Sequence, residues 1–228
     1  MRFAGLLKST LVDYPGMVAC VLFAAGCNMD CFYCHNRPLA ENRLPALTQR
    51  EVRGFLASRA GMLDGVVISG GEPTVCLGLV YELKWLKSLG YKVKLDTNGA
   101  NPRVVERILE KGLCDYFAVD YKAPAARYAE VCGRGADAQR VLETIRLLSE
   151  SGAVFEVRTT VIPQLSADDL LQMARELPPV PRYSLNRYRL PLAYPAAERE
   201  RVLAPALTQW ELERLAGELR TVQPNCVG

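Results

Sequence analysis

The sequence contains no run of 18 or more apolar residues, which is about the minimum for a helix that crosses a bilayer. The first ten residues lack the basic, apolar and cleavage-site order of a secretory signal, so we expect a cytoplasmic protein. The net charge is only +3 and the Lys and Arg residues are scattered, so no concentrated basic face is predicted. We therefore expect neither a membrane nor a nucleic acid as a partner.

Histidine is nearly absent, whereas cysteine is abundant. His35 is the only histidine, and the 228 residues include eight cysteines. In a chain that we expect in the reducing cytoplasm, cysteines favour metal or redox chemistry over a disulfide framework.

Apolar, β-branched runs alternate with helical patterns along the whole chain. Strands are predicted at 18–26, 65–71, 91–99, 115–123, 153–163 and 182–190, and helices at 47–60, 75–90, 102–112, 137–152, 166–179 and 205–220. This alternation indicates a parallel sheet with right-handed crossovers, and the length suits a single domain of residues 1–228 with its core at about 17–220. A partial (β/α)6 barrel and a doubly wound sheet both fit the pattern, and both gather functional groups where the strands end.

Three cysteines crowd the loop after the first predicted strand, in the stretch AAGCNMDCFYCHN. Cys27, Cys31 and Cys34 fall within eight positions, and thiolates favour iron–sulfur clusters and zinc. A structural zinc ion needs four ligands, and His35 directly follows Cys34, so the two side chains tend to point apart. Packing of the three cysteines on one helix face is disfavoured by the turn-forming residues between them. A 4Fe-4S cluster with one iron open to a small molecule is the preferred interpretation, with zinc and packing as alternatives.

Polar side chains also follow the later strands. Asp120 and Lys122 share a face by the alternation of a strand, and inward charges are costly unless paired or used. Arg158 has the geometry to clamp a carboxylate. Simpler, structural interpretations are also open. Asp120 and Lys122 fit an ion pair that only stabilises the fold. Glu72, which follows the second predicted strand, fits a carboxylate at a helix N-terminus, and Asn98 with Gly99, at the end of the third, fits a plain turn.

The C-x3-C-x2-C spacing, with Tyr33 before the last cysteine, resembles the signature of the radical S-adenosylmethionine superfamily. The resemblance implies the partial barrel, one 4Fe-4S cluster on Cys27, Cys31 and Cys34, and S-adenosylmethionine on the open iron. Reductive cleavage of this cofactor then gives a 5′-deoxyadenosyl radical that abstracts a hydrogen atom. The resemblance also implies cofactor contacts by a GGEP motif, here Gly70, Gly71, Glu72 and Pro73, and a catalytic Asp-x-Lys pair, here Asp120 and Lys122. From their positions in the cysteine loop and at the strand ends, we also expect cofactor contacts from Tyr33, Asp96, Thr97, Asn98 and Arg158.

The opening of the sequence resembles activating enzymes of glycyl-radical proteins. The matching residues are Thr10, Asp13, Tyr14, Pro15 and Gly16, followed by the Cys34-His35-Asn36 triplet. Within that group, NMDCFYCHNRPL is similar to the activating proteins of anaerobic ribonucleoside-triphosphate reductase. This implies a glycyl-radical reductase as partner, a one-electron donor such as flavodoxin or ferredoxin, and an anaerobic setting. Activation of pyruvate formate-lyase, or a small-molecule reaction such as that of 7-carboxy-7-deazaguanine synthase, remains an alternative, as does a non-catalytic metal-binding protein.

Overall fold

A computed structural model describes all residues, 1–228, as an α/β protein with eight strands and nine α-helices. The strands are β1 Phe3–Thr10, β2 Ala19–Ala24, β3 Gly65–Gly70, β4 Lys92–Thr97, β5 Tyr116–Asp120, β6 Phe155–Val161, β7 Tyr183–Arg187 and β8 Cys226–Val227. The helices are α1 Arg37–Ala40, α2 Gln49–Arg59, α3 Leu79–Ser88, α4 Pro102–Glu110, α5 Tyr128–Cys132, α6 Ala138–Ser151, α7 Ala167–Glu176, α8 Arg199–Val202 and α9 Gln209–Leu219. None of them is both long and apolar enough for a membrane span.

The strands are hydrogen-bonded in the order β1 to β8. β1 runs antiparallel to β2, whereas β2 with β3, β3 with β4, β6 with β7 and β7 with β8 are parallel. Parallel neighbours that follow each other in the chain through helices are the arrangement of a βα barrel. The expected fold class, a partial (β/α)6 barrel, is confirmed, and the doubly wound alternative is not.

Helix starts follow the capping signals in the sequence. Thr48, Ser166 and Thr208 are N-caps, and each accepts a hydrogen bond from the backbone of the acidic residue three positions later. The acidic side chain accepts in return from the cap backbone, which completes a capping box. The six predicted strands and six predicted helices all exist, with ends trimmed by up to four residues.

Two strands were not predicted. β1 contains Gly5 and alternates poorly, because much of it is only half-buried or exposed. β8 has two residues and forms by pairing Cys226 and Val227 with Tyr183 and Ser184 of β7. Both strands depend on a neighbour rather than on a local apolar pattern.

The chain forms two compact units. The first comprises Met1–Asn28, Pro38–Thr97 and Arg103–Phe117, and the second comprises Met29–Arg37, Asn98–Pro102 and Ala118–Gly228. The apolar side chains of the parallel strands are buried in each unit, as those of strands covered on both faces should be.

The Asp-Tyr-Pro-Gly segment packs at the beginning of the strands of the first unit. The Tyr14 ring is buried against Ala19, Val21 and Val67. The Thr10 hydroxyl donates to the Asp13 carboxylate at 2.6 Å, which fixes the turn. Functional groups gather at the C-terminal ends of such strands, so this segment lies at the end of the strands opposite to the expected site, where it contributes to stability.

Candidate functional site

The Glu72 carboxylate is a fixed, fully buried group at the end of β3. It accepts from the Thr74 backbone N–H at 3.0 Å and from the Thr97 hydroxyl at 2.7 Å, and the Thr74 hydroxyl also donates to it. Glu72 is therefore the N-cap of the 3-10 helix that begins at Pro73. The structure brings Glu72 and Thr97, two predicted site residues, into direct contact, and it also bears out the simpler capping interpretation of Glu72.

Gly70 and Gly71 are required by a close approach of two backbone segments. A Cβ on Gly70 would lie 2.4 Å from the Ala24 backbone, and one on Gly71 would lie 2.0 Å from the Gly26 carbonyl. Gly70 also has a φ of 120°, which side-chain-bearing residues rarely adopt. The Gly71 and Glu72 amides donate to the Ala24 and Gly26 carbonyls at 2.8 Å. The glycine pair thus joins the end of β3 to the chain that leads into Cys27.

Asp96 forms an ion pair within its own strand. Its carboxylate lies 2.9 Å from the ammonium of Lys94, which is buried and also donates to the Asp13 carbonyl at 2.7 Å. In the second unit, the Asn98 side chain accepts from the Ala100 amide at 3.0 Å. This bond and the φ of 73° at Gly99 make a turn, as the simpler interpretation of that sequence holds.

The three motif cysteines are free thiols in the loop that follows β2. None of the eight cysteines forms a disulfide. In the first unit, the half-buried Cys27 lines a cleft of about 490 Å³ together with Arg2 and the stretch 75–77. In the second unit, Cys31 is buried and Cys34 is half-buried, and the Cys34 amide donates to the Cys31 carbonyl at 3.0 Å.

Arg37 anchors this loop, a role that was not predicted from the sequence. Its buried guanidinium donates to the Cys31 carbonyl and to the Asp30 carboxylate, both at 2.8 Å. The Asp30 amide in turn donates to the Cys132 carbonyl at 2.9 Å, which ties the loop to α5. The sequence signal is an arginine shortly after the last motif cysteine, and it becomes informative through burial, because Arg is almost never buried without partners.

Asp120 lies between two cations. Lys122 Nζ is 3.0 Å from one carboxylate oxygen, and Arg158 Nε and Nη2 are each 3.0 Å from the other. Burial alone would raise the pKa of Asp120, but the charges of Lys122 and Arg158 outweigh it and lower the pKa to about 2. Burial likewise opposes the charge of Lys122, and Asp120 holds the Lys122 pKa well above its usual value. The predicted sharing of a face is confirmed, and Arg158 clamps the carboxylate of its own chain.

Cys132, a buried thiol of α5, interacts with the motif. A hydrogen bond with the Cys132 thiol is the main factor that lowers the pKa of Cys31. Burial opposes this shift, and the positive charge of Lys122 adds to it. Cys34 differs, because burial raises its pKa. Lys122 and Cys132 therefore favour thiolate, the metal-binding form, at Cys31.

Tyr33 packs in the core of the second unit. Its ring meets Phe32 and Tyr188 edge-on, with centroids 5.3 and 6.5 Å apart. Its hydroxyl is buried with no hydrogen-bond partner, and burial raises the Tyr33 pKa well above the usual value. A buried hydroxyl without a partner marks a place where a bound group can supply one.

The helix α8 contacts the cysteine loop of the second unit through one side chain. The Arg201 guanidinium lies 3.9 Å from the centroid of Phe32. The Tyr188 hydroxyl donates to the neighbouring Val202 carbonyl at 2.9 Å, which holds α8 against the end of β7. The chain before α8 is more open, because Leu190 and Leu192 are exposed.

The donor set fits an iron–sulfur cluster. Three thiols stand at the cluster-loop spacing, and the hydrogen bond and charge at Cys31 favour its thiolate form. No group of three or more His, Cys, Asp or Glu side chains converges on a point where one metal ion would bind. A cluster does not require such convergence, because each of its thiolates binds a separate iron.

Comparisons with known proteins agree on one superfamily. The profile of the radical SAM superfamily matches residues 21–177. The Methanocaldococcus jannaschii protein MJ1227, named as a glycyl-radical enzyme activating enzyme, is 32% identical over 84% of this chain and 81% of its own. The pyruvate formate-lyase-activating enzyme of Streptococcus mutans is 27% identical over 82% of this chain and 78% of its own. A 7-carboxy-7-deazaguanine synthase of Neisseria meningitidis is 32% identical over 56% and 55%.

Solved structures with the same fold include Streptococcus suis SuiB bound to S-adenosylmethionine. It has a TM-score of 0.64 and 16% identity, over 87% of this chain and 48% of SuiB. A domain of pyruvate-formate lyase-activating enzyme from Bacteroides vulgatus has a TM-score of 0.51 and 20% identity, over 70% of this chain and 96% of that domain. At these identities the likeness supports the fold alone.

Proposed function

We propose that this chain, which belongs to the radical SAM superfamily and within it to the glycyl-radical enzyme activating enzymes, generates the glycyl radical of an anaerobic ribonucleoside-triphosphate reductase. The observation that carries the activase assignment is the 32% identity to MJ1227, because it extends over 84% of the chain. The profile of the radical SAM superfamily, which matches residues 21–177, includes the cysteine loop and the ends of β2 to β6.

In this proposal Cys27, Cys31 and Cys34 would hold a 4Fe-4S cluster, and S-adenosylmethionine would bind beside it. When bound, the two groups supply the one-electron cleavage of the sulfonium and the hydrogen-atom abstraction from a glycine Cα. Arg37 and the Cys132 carbonyl keep the loop in place, since both hydrogen-bond to the backbone between the ligands.

The remaining site residues bind and orient. Asp120 and Lys122 stay charged near neutral pH, because each stabilises the charged form of the other. They are suited to hold the polar groups of S-adenosylmethionine and of the substrate loop, with Arg158 keeping the Asp120 carboxylate in one orientation. We also assign cofactor contacts to Tyr33, to residues 70–73 and to residues 96–98.

The choice of the reductase as partner is supported by the cysteine loop, NMDCFYCHNRPL, which is similar to that of reductase-activating proteins. The second candidate partner is a pyruvate formate-lyase. It is favoured by the 27% identity to the Streptococcus mutans activating enzyme over 82% of this chain. A small-molecule reaction is less supported, since the deazaguanine synthase match covers 56% of the chain.

The test is transfer of the radical to purified partner enzymes. The anaerobically reconstituted protein, reduced with dithionite, is mixed with S-adenosylmethionine and with either anaerobic ribonucleotide reductase or pyruvate formate-lyase. The proposal predicts a glycyl-radical EPR doublet on the reductase and none on the lyase. A doublet on the lyase alone would transfer the assignment to the second candidate.

Two variants control that test. Cys34→Ala removes a proposed ligand and should abolish the doublet, whereas Cys114→Ala removes a half-buried thiol outside the motif and should retain it. A doublet of equal size with Cys34→Ala would contradict the role of the motif cysteines.

A further inference from the structure

Unpaired cations line a groove on the first unit, beyond the end of β3. The groove has a volume of about 1050 Å³, and we call it the basic groove, after its lining residues Lys84, Arg103, Arg107 and Lys111 with Leu77 and Tyr81. All four cations are exposed, and none of them forms an ion pair. No Asp or Glu lines the groove, although the chain contains 25 of them.

The arginines are arranged along one helix. Arg103 and Arg107 are four residues apart on α4, so their side chains lie on the same face, and Lys111 follows just after the helix ends. Glu106 and Glu110 are exposed on the same helix but neither lines the groove nor pairs with the arginines. The positive charge on this face is therefore available to a partner.

Apolar side chains lie between the cations and the cysteine loop. Leu77 is 94% exposed, Tyr81 65% and Val75 40%. Val75, Cys76 and Leu77 line both the basic groove and the smaller cleft that contains Cys27. One continuous surface thus runs from the four cations to the first proposed cluster ligand.

The cleft adds to the positive charge. Its lining includes Arg2 and no carboxylate, and Cys27 is partly exposed there. Electron transfer needs close approach, because tunnelling weakens steeply with distance. A donor that rests on Leu77 and Val75 comes as near to Cys27 as this surface allows.

We propose that the basic groove and the Cys27 cleft form the docking surface for an acidic one-electron donor protein of the flavodoxin type; this inference rests on the proposed function. The exposed cations steer a negatively charged partner, and Leu77 and Tyr81 give it an apolar contact. Redox complexes of this kind are small and weak, which suits a shallow groove. The donor's anionic flavin hydroquinone would give up one electron and become the neutral semiquinone, and the cluster that Cys27, Cys31 and Cys34 would hold would accept that electron.

The experiment uses a recombinant flavodoxin and two double variants. Arg103→Glu/Arg107→Glu reverses two charges of the groove, and Arg140→Glu/Arg146→Glu reverses two exposed charges on α6 as a matched control. Affinity for oxidised flavodoxin is measured at low and high salt on both the apo and the reconstituted protein. The rate of cluster bleaching is then followed with flavodoxin hydroquinone and, separately, with dithionite.

We expect the groove variant to bind flavodoxin at least about tenfold more weakly at low salt, with the difference shrinking as salt is added. Its reduction by flavodoxin should slow by a similar factor, while reduction by dithionite stays as in the wild type. The α6 control should match the wild type throughout. Equal flavodoxin affinity for both double variants, or no measurable binding to the wild type, would overturn the proposal.

Two further outcomes separate the candidate occupants. If dithionite-driven glycyl-radical formation on the reductase falls in the groove variant while flavodoxin binding is unchanged, the surface docks the radical acceptor and the proposal is wrong. Salt-sensitive flavodoxin binding that is lost in the groove variant supports the docking surface even if no glycyl radical forms on any partner. The failure of the proposed function is therefore distinguishable from the failure of this inference.

Discussion

The Arg37 guanidinium donates to the Cys31 carbonyl at 2.8 Å, and through this bond a buried charge holds the middle cysteine of the motif. The same guanidinium pairs with the Asp30 carboxylate, so one side chain contacts two consecutive residues of the loop. Arg37 therefore contributes to the shape of the loop that carries the proposed ligands.

Arg37→Gln should loosen this loop. The loss of a charged donor to a backbone carbonyl and a carboxylate should lower the free energy of unfolding by about 1.5–3 kcal/mol. The iron retained per chain after anaerobic reconstitution should also fall. Arg37→Lys should retain an intermediate amount, because lysine keeps the positive charge but lacks the planar guanidinium that donates to two acceptors. Arg43→Gln, which removes an exposed arginine paired with Glu41, is the control and should retain iron. Full iron retention in Arg37→Gln would refute the anchoring role.

Asp120→Asn should make stability less dependent on pH at acid values. The folded-state pKa of Asp120 is about 2 and its usual value is 3.8, so the unfolded chain binds the proton more readily. The stabilisation is present above pH 4 and is lost as the pH falls from about 4 to 2. Since the carboxylate is partly exposed, we expect about 1 kcal/mol after solvent screening.

The measurement for Asp120 is urea unfolding of both proteins between pH 7 and pH 2. The difference in the free energy of unfolding between wild type and Asp120→Asn should be largest at neutral pH. It should shrink toward zero as the pH approaches 2. Glu143→Gln, at an exposed carboxylate in the middle of α6 without an ion pair, is the control and should show no such trend. A gap that widens toward low pH would be incompatible with the charges of Lys122 and Arg158 acting as described.

Thr97→Val should destabilise the protein more than Thr97→Ser. Valine keeps the shape but removes the hydroxyl that donates to the buried Glu72 carboxylate, at a cost of about 1.5–3 kcal/mol. Serine keeps the donor and removes one methyl group, at a cost of about 0.8 kcal/mol. Chemical denaturation of both variants gives the order, and the reverse order would mean that packing rather than the hydrogen bond fixes Thr97.

Ser166→Ala should cost about 1 kcal/mol, because it removes the N-cap of α7. Ser166→Asp keeps a capping oxygen and should stay close to the wild type. Ser58→Ala, at an exposed serine within α2 whose hydroxyl bonds only its own turn, should change stability by less than about 0.5 kcal/mol. The three thermal unfolding curves are compared at neutral pH, and a Ser58 effect as large as that of Ser166 would argue against a specific capping contribution.

Local sequence rules predicted most of the fold, because the central strands and amphipathic helices each have their own apolar pattern. They also predicted the pairing of Asp120 with Lys122, since alternation along a strand places the two on one face. Local sequence rules did not predict contacts between residues that are far apart in the chain. Cys132 lies 101 positions from Cys31, and nothing local to either residue shows that their thiols meet.

Gly70 and Gly71 show what a sequence motif leaves open. The resemblance implies that they contact the cofactor, and the structure shows that they let β3 approach the chain between Ala24 and Gly26. A pattern of glycines predicts close approach but does not say what approaches. Only the register of β2 against β3, which pairs Ala24 with Gly70, supplies the answer.

The most direct test of the radical chemistry is 5′-deoxyadenosine production under strict anaerobiosis. The protein is reconstituted with iron and sulfide, reduced with dithionite and given S-adenosylmethionine, with wild type beside Cys31→Ala. We predict 5′-deoxyadenosine from the wild type and none above background from Cys31→Ala. A wild type that binds iron yet forms no 5′-deoxyadenosine, with partner enzymes present, would contradict the assignment to radical chemistry.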